Sequence, residues 1–262
     1  MNKQSPPDID ASIDDSKAPL IEHLIELRQR LLWALAAFAV AFGVCIFFAD
    51  EIFGLLVKPL TAAFPPGEGK LIYTKLYEAF FVEIKVALFA AFFVSFPVIS
   101  NQLWAFVAPG LYAKEKRAFL PFLIATPILF MAGAALAYYI VMPTAFRFFV
   151  GFEGEVGGMT QEALPAMGDY LSLVMQFILA FGVCFQLPVL LLLLNRAGLV
   201  TRDQLKGIRR YMIVAAFALA AILTPPDVVS QLMLGIPLIM LYEISLAIMW
   251  FTDRKKAAME TE

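Results

Sequence analysis

The chain has 262 residues, of which 61% are hydrophobic and only 16% charged. Soluble domains average about 45–50% apolar and about 25% charged residues, so this composition excludes an ordinary soluble protein and indicates an integral membrane protein. Two cysteines and a single histidine, His23, form neither a disulfide framework nor a metal-ligand spacing, and we expect no metal, cofactor or nucleic acid to be bound.

The N-terminal region divides into a tail and an amphipathic segment. Residues 1–19 are polar and acidic, which predicts a disordered tail rather than a signal peptide. The next segment, PLIEHLIELRQRLL, carries apolar residues on one side at helical spacing, and we expect it to lie along the cytoplasmic interface before turning into the membrane. Glu26 in this segment has two interpretations: an i,i+4 partner of Arg30, or an acid at the membrane surface that receives a cationic ligand.

Six apolar runs predict transmembrane helices, with cores at 31–48, 79–99, 119–142, 170–194, 211–223 and 232–251. The fifth run covers only about 20 Å at 1.5 Å per residue, so the bilayer must thin there or flanking residues must snorkel. Prolines within the spans predict bent helices around a concave face. The predicted fold class is therefore an all-α membrane protein, a bent, concave bundle of six transmembrane helices over 20–251, followed by a charged tail at 252–262.

Lys and Arg predict the orientation of this bundle. They cluster in the N-terminal segment, in the second and fourth connectors and in the C-terminal tail. The third connector is acidic, and the only charged residue of the fifth connector is Asp227. Because cytoplasmic loops of membrane proteins carry the excess of positive charge, we expect both termini in the cytoplasm.

The second connector, Pro97 to Arg117, contains aromatic residues, two prolines and Glu115. Glu115 is either neutralised by its basic neighbours Lys114, Lys116 and Arg117, or it lies at the same membrane depth as Glu26. In the second case each of the two carboxylates is able to bind a guanidinium by paired hydrogen bonds, which a lysine ammonium does not match.

Polar residues within and between the later spans are further candidates. Ionisable groups in hydrocarbon are costly and usually functional, which singles out Glu243, although hydrogen bonding to Gln186, Ser245 or Tyr242 is the alternative. The turn LTPPDVVSQ places Asp227 and Gln231 at the outer ends of the two shortest spans. Asp227 is expected to cap the sixth helix, and the pair also offers a docking place for another membrane helix.

Four segments together resemble the TatC family, the polytopic subunit of the twin-arginine protein translocase. They are HLIELRQRLL (23–32), FPVISNQLWAFVAPGLYAKEKR (96–117), YLSLVMQFILAFGVCFQLPV (170–189) and LTPPDVVSQ (223–231), in the order of the family. One departure is Gln186. Many members of the family have an intramembrane glutamate at this position, and glutamine keeps the hydrogen-bonding group but does not titrate.

This resemblance implies a receptor for folded precursor proteins that bear twin-arginine signal peptides. It implies that Glu26 and Glu115 bind the arginine pair, with Leu27, Arg28 and Phe106 in support. It further implies single-span TatB-like and TatA-like partners around the fifth and sixth spans, self-association in a larger complex, the proton-motive force as energy source, and the bacterial inner membrane as location.

Two other function classes are weaker. A proton-coupled small-solute transporter would use Glu243 and Gln186 in a bundle cavity, but such transporters usually have related halves, which this sequence lacks. An enzyme is not expected, because the spans contain no plausible constellation of His, Ser or paired Asp.

Overall fold

The computed structural model describes the backbone of residues 9–65, 69–111, 116–224 and 227–259, and the side chains within these ranges except 9–20, 22, 107–111, 116–120, 156 and 255–259. Most of the described chain is α-helical, as the composition predicts. The described strands are β1 (Gly154–Val156) and β2 (Met159–Gln161), which pair as an antiparallel hairpin. Gly157 and Gly158 form its two-residue turn with φ of +63° and +83°, a left-handed conformation that glycine adopts without strain.

The first helix, α1, runs without interruption from Ile9 to Cys45. Two sequence-based expectations change as a result. The helix begins before the boundary expected at residue 20, and the amphipathic segment and the first span form one uninterrupted helix. The segment between Leu20 and Phe42 contains neither proline nor glycine, so nothing interrupts the helical hydrogen bonds there. A 3₁₀ turn (Ile46–Phe48) and α2 (Ala49–Thr61) follow.

The second long helix, α3, extends from Glu78 to Leu111. Most of the predicted connector at Pro97–Arg117 is therefore a continuation of the second span rather than a loop, which corrects the sequence interpretation. Proline is tolerated inside a membrane helix where side chains satisfy freed backbone groups.

The third and fourth predicted spans are each interrupted helices. The third consists of α4 (Lys116–Leu136), a π-helical turn (Ala137–Val141) and α5 (Met142–Val150). The fourth consists of α6 (Met167–Cys184) and α7 (Leu187–Arg196), with the break next to Pro188, whose ring lacks the N–H needed to continue the helix. Of the prolines expected to bend the spans, Pro188 lies at a break, whereas Pro121, Pro127 and Pro237 lie inside helices that continue past them.

The C-terminal part contains a short helix and a helical hairpin. The short helix, α8 (Arg202–Gly207), begins with a capping box formed by Thr201 and Gln204. The hairpin pairs α9 (Arg209–Leu223) with α10 (Val228–Met259), and α10 continues through most of the predicted charged tail.

Five helical stretches among the described residues are long and apolar enough to cross a membrane: His23–Thr61, Glu78–Phe106, Pro121–Val150, Met167–Arg196 and Val228–Arg254. The helix α9 has 15 residues and covers about 22 Å at 1.5 Å per residue, as short as the sequence predicts. The α6–α7 stretch is central, since 61% of its apolar part is buried inside the protein, compared with 11% for the first stretch.

Close packing of α4 against α6 forms the centre of the core. A Cβ added at Gly133 would lie 2.5 Å from the Phe181 carbonyl oxygen, and one at Gly182 would lie 2.6 Å from Cε2 of Phe130. Phe130 and Phe181 are themselves fully buried. Small residues that let membrane helices approach closely are the usual device for such packing, because lipid provides no hydrophobic driving force between helices.

Candidate functional site

Glu26 lies on α1 and pairs with Arg30 one turn later. Nε and Nη2 of Arg30 both donate to the same carboxylate oxygen, Oε1 of Glu26, at 2.9 and 2.5 Å. The two side chains are partly exposed, 28% for Arg30 and 35% for Glu26. The i,i+4 pairing that the sequence suggested is therefore present, and it uses only one of the two oxygens.

His23 connects this pair to the end of α3. Its Nδ1 lies 3.9 Å from the other oxygen, Oε2 of Glu26. Its ring stacks on Phe106, with centroids 4.2 Å apart and planes inclined by 14°. Two of the predicted site residues, Glu26 and Phe106, are thus brought together through a residue that the sequence analysis did not assign to the site. Only the crossing of α1 and α3 reveals this role of His23.

The other predicted residues of this region lie on or beyond the same helices. Leu27 is 40% exposed and Arg28 is exposed. At 100° per residue Arg28 projects about 200° from Glu26 around α1, so the two side chains do not share a face. Glu115 lies outside the described residues, between the end of α3 at Leu111 and the start of α4 at Lys116.

Gln186 lies at the break between α6 and α7. Its Nε2 donates to the Thr126 carbonyl at 3.0 Å, and the Thr126 hydroxyl accepts from the Trp104 indole N–H at 2.7 Å. The Oε1 of Gln186 is buried and has no hydrogen-bond partner in the described part of the chain. This side chain therefore links the fourth span to the third and, through Thr126, to α3. The participation of Trp104 and Thr126 has no signal in the sequence.

Glu243 forms an ion pair between the hairpin helices. Its Oε2 accepts from Nη2 of Arg209 at 2.6 Å across a separation of 34 positions, and both side chains are 45% exposed. The hydrogen-bond alternatives considered for Glu243 are wrong. Tyr242 donates instead to the Leu205 carbonyl at 2.6 Å, and Ser245 to the Leu241 carbonyl at 2.7 Å, while Gln186 bonds to Thr126. Arg209 was missed because it lies at the start of α9, and only the hairpin packing brings it to this depth.

Asp227 and Gln231 hold the turn between α9 and α10. The Oδ1 of Asp227 accepts from the Ser230 backbone N–H at 2.7 Å, which is the N-terminal cap expected for the last helix. Its Oδ2 is buried and has no hydrogen-bond partner within the described residues. The Gln231 side chain donates to the Phe217 carbonyl at 3.1 Å and so ties α10 to α9.

An open apolar groove of about 820 Å³ lies between α1, α3, α6 and the end of α9. Phe38, Phe92 and Val183 contribute to its walls, and Lys85 and Gln176 are among its few polar residues. Neither Gln186 nor Glu243 is among the residues that line this groove. Within the described residues, no group of three His, Cys, Asp or Glu side chains is placed to bind a metal ion.

Comparison with known proteins identifies the family of this chain. Residues 22–237, which include nearly every predicted span, match the family described as TatC, Sec-independent protein translocase protein. The chain belongs to the TatC family. It is 51% identical over 246 residues to the Sec-independent protein translocase protein TatC of Magnetococcus marinus, covering 94% of this chain and 89% of the relative. It is 40% identical to the TatC of Escherichia coli over 233 residues, which cover 89% of this chain and 88% of that relative.

Solved structures of the family have the same fold. The crystal structure of the twin arginine translocase receptor TatC in DDM superposes with a TM-score of 0.76 at 39% identity, covering 86% of this chain and 98% of that chain. A second crystal structure of the same receptor gives a TM-score of 0.74 at 40% identity. The family resemblance inferred from the four sequence segments is therefore confirmed. The chain is a multi-pass membrane component of the twin-arginine translocation system, and its relatives are named as protein translocase components rather than enzymes.

Proposed function

We propose that this protein is the receptor for twin-arginine signal peptides and the core subunit of a translocase that exports folded proteins across the bacterial inner membrane. The observation that carries the proposal is the cluster of Glu26, His23 and Phe106, where the N-terminal half of α1 contacts the C-terminal end of α3. It is supported by the solved relatives, which are described as twin arginine translocase receptors.

The cluster has the chemistry that recognition of a guanidinium requires. A carboxylate accepts two parallel N–H bonds from one guanidinium, and a partly buried carboxylate is less screened by water than an exposed one. Glu26, at 35% exposure, is such a group. Glu115 is the second carboxylate of the proposal, with Leu27, Arg28 and Phe106 supporting the bound peptide.

The proposed topology has six spans and both termini in the cytoplasm. The five long helical stretches supply five spans, and α9 supplies the sixth where the bilayer is thin. Lys and Arg cluster on the even-numbered connectors and both terminal segments, which supports this orientation.

The topology can be tested by labelling intact cells with a membrane-impermeant thiol reagent. We expect Thr160→Cys, in the β1–β2 hairpin, to be labelled, and Lys255→Cys, near the C-terminus, to be labelled only after the cells are opened. The native Cys45 and Cys184 are buried and provide the background. Labelling of Lys255→Cys in intact cells contradicts the orientation.

The receptor function can be tested by binding of a fluorescent signal peptide to the purified full chain in detergent. Glu26→Gln keeps the size of the side chain but removes its charge, and hydrogen bonds to charged groups contribute about 1.5–3 kcal/mol, so we expect about 10- to 100-fold weaker binding. Glu243→Gln is the matched control, because Glu243 also pairs with an arginine but lies in the hairpin. Wild-type affinity of Glu26→Gln would contradict the proposed site.

We propose that single-span TatB-like and TatA-like subunits dock at the α9–α10 hairpin, near Asp227 and Gln231. The hairpin offers a largely exposed apolar surface: Val214 is 68%, Ile222 76% and Val228 70% exposed. A bilayer-spanning partner helix would cover this surface by van der Waals packing. We further propose that the proton-motive force drives assembly, and that the chain self-associates in a larger complex.

A further inference from the structure

A second groove lies on the face of the bundle formed by α4, α7 and α10. It has a volume of about 450 Å³, and its walls are apolar for most of their length. Leu129 of α4, Leu192 of α7 and Ile244 of α10 are among the residues that line it. We call it the α4–α7–α10 groove. Among the described residues, it shares no lining residue with the groove between α1, α3 and α6, and none of the proposed signal-peptide residues lines it.

The α4–α7–α10 groove runs along the helices and is polar at one end. On α10 its lining extends from Leu241 to Thr252, about 16 Å at 1.5 Å per residue. This length matches one leaflet, half of a hydrocarbon core about 30 Å thick. Its polar lining residues, Asn195, Arg196 and Thr252, lie toward the C-terminal ends of the α7 and α10 spans. In the proposed topology this end of the groove faces the cytoplasm.

Arg196 gives the polar end of the groove a positive charge. Its guanidinium carbon lies 5.4 Å from the centroid of the Phe122 ring, so the side chain reaches from α7 to α4. Stacking uses the face of a guanidinium, whereas phosphate oxygens bind at its edge. On α10, Arg254 lies over the Trp250 ring at 4.1 Å and adds a second positive charge near this end. No acidic residue is among the described residues that line the groove, so its charge is complementary to an anion.

The size of the groove favours an acyl chain over a protein helix. A helix about 10 Å across and about 16 Å long occupies roughly 1,250 Å³, more than twice the volume of the groove. An acyl chain is thinner than a helix and is apolar throughout, as is the lining beyond the polar end. Ile244 and Ile248 are 47% and 40% exposed, so the groove is open to the surrounding lipid along α10.

We propose that the α4–α7–α10 groove binds an anionic glycerophospholipid of the cytoplasmic leaflet, with the phosphate on Arg196 and one acyl chain along the groove. Basic pockets between membrane helices on the cytoplasmic side bind anionic lipid head groups in other membrane proteins. The lipid fills the space between α4 and α10 and so joins the third span to the sixth. The assignment to the cytoplasmic leaflet rests on the proposed topology, whereas the site itself does not depend on the receptor function.

The head-group contact can be tested by native mass spectrometry of the purified full chain with phosphatidylglycerol, which is anionic, or phosphatidylcholine of the same acyl chains, which is zwitterionic. We expect phosphatidylglycerol to bind about fivefold more tightly, the effect of one basic residue on an anionic lipid. Arg196→Gln should abolish this preference. Arg210→Gln is the matched control and should keep it, because Arg210 is also exposed and lies over a ring, that of Tyr211 at 4.8 Å, but does not line the groove.

The position of the acyl chain can be tested by filling the groove. Ile244→Trp places an indole in it, and we expect both lipids to bind about tenfold more weakly, because the indole and the chain compete for the same volume. Ile236→Trp on the same helix is the control and should bind both lipids like wild type. Ile236 is 50% exposed, close to the 47% of Ile244, but it does not line the groove.

The other outcomes overturn the proposal. Equal affinity of the wild type for the two lipids, or a preference that Arg196→Gln retains, would exclude the head-group contact. Equal losses in Arg196→Gln and Arg210→Gln would assign the preference to the overall charge of the protein. Unchanged binding to Ile244→Trp would place the chain outside the groove. Gel filtration verifies that each variant is folded. No signal peptide is present in this assay, so failure of the lipid site leaves the receptor proposal intact, and failure of that proposal does not alter the lipid affinities.

Discussion

The protein contains two glutamate–arginine pairs whose chemistry is the same and whose placement differs. Glu26 and Arg30 are one turn apart on α1, whereas Glu243 and Arg209 are separated by 34 positions and join α10 to α9. The local pair can open without moving any helix. The long-range pair holds two helices at a fixed relative height, because its members meet only when the hairpin is closed.

This difference explains why the two pairs are assigned different roles. A carboxylate whose partner is local can exchange that partner for a ligand. When a carboxylate joins two helices, the loss of its partner removes the link between them. It also leaves an unpaired charge within the membrane, which is costly. Two glutamate–arginine pairs of the same chemistry can therefore have different roles. The number of positions between the partners, 4 in one pair and 34 in the other, distinguishes a pair that can open from one that joins helices.

The largest expected effect tests the structural role of the hairpin pair. Glu243→Lys places two like charges together. We expect it to lower the free energy of unfolding by about 1–2.5 kcal/mol, less than the roughly 2.5–3.5 kcal/mol that a charge at the centre of a membrane helix costs, because both side chains are 45% exposed. Thermal denaturation in detergent measures this. The swapped variant Arg209→Glu/Glu243→Lys should recover most of the loss, and failure to recover would show that the pair is not a tie between helices.

An intermediate effect is expected at the other end of the hairpin. Asp227→Ala removes the cap on Ser230 and should cost about 1 kcal/mol in thermal denaturation. Asp227→Asn keeps an oxygen for the cap but removes the carboxylate, whose Oδ2 has no hydrogen-bond partner in the part of the chain described. We therefore expect Asp227→Asn to keep the stability but reduce copurification of single-span partners. Normal copurification would argue against docking at Asp227.

The smallest effect concerns the stack beside the local pair. His23→Ala removes the ring packed on Phe106, and we expect about 0.5 kcal/mol less stability, the low end for aromatic pairs because the His23 side chain is 47% exposed. Affinity for the twin-arginine peptide should fall about twofold, because the stack that packs α1 against α3 beside Glu26 is lost. His23→Phe should preserve both values if stacking alone matters. A loss in His23→Phe equal to that in His23→Ala would show that the imidazole nitrogen is needed.

Local sequence patterns predicted the features that depend on neighbours along the chain. The apolar runs predicted the helices, since each helix satisfies its own backbone in lipid. The i,i+4 spacing gave the Glu26–Arg30 pair as one of two interpretations of Glu26, and the position of Asp227 before the last apolar run predicted its cap. The extent of α3 was underestimated because Pro97 was taken as a boundary, although a proline inside a membrane helix is tolerated.

By itself, the sequence determined that this chain is a helical membrane protein of the TatC family, because composition, helix periodicity and short motifs are all local properties. Only the tertiary structure decided that His23 stacks on Phe106, that Gln186 bonds to Thr126 and that Glu243 pairs with Arg209. These contacts join residues from different helices. They depend on the rotation and relative height of each helix, which are set by packing such as that around Gly133 and Gly182 and which no segment encodes alone.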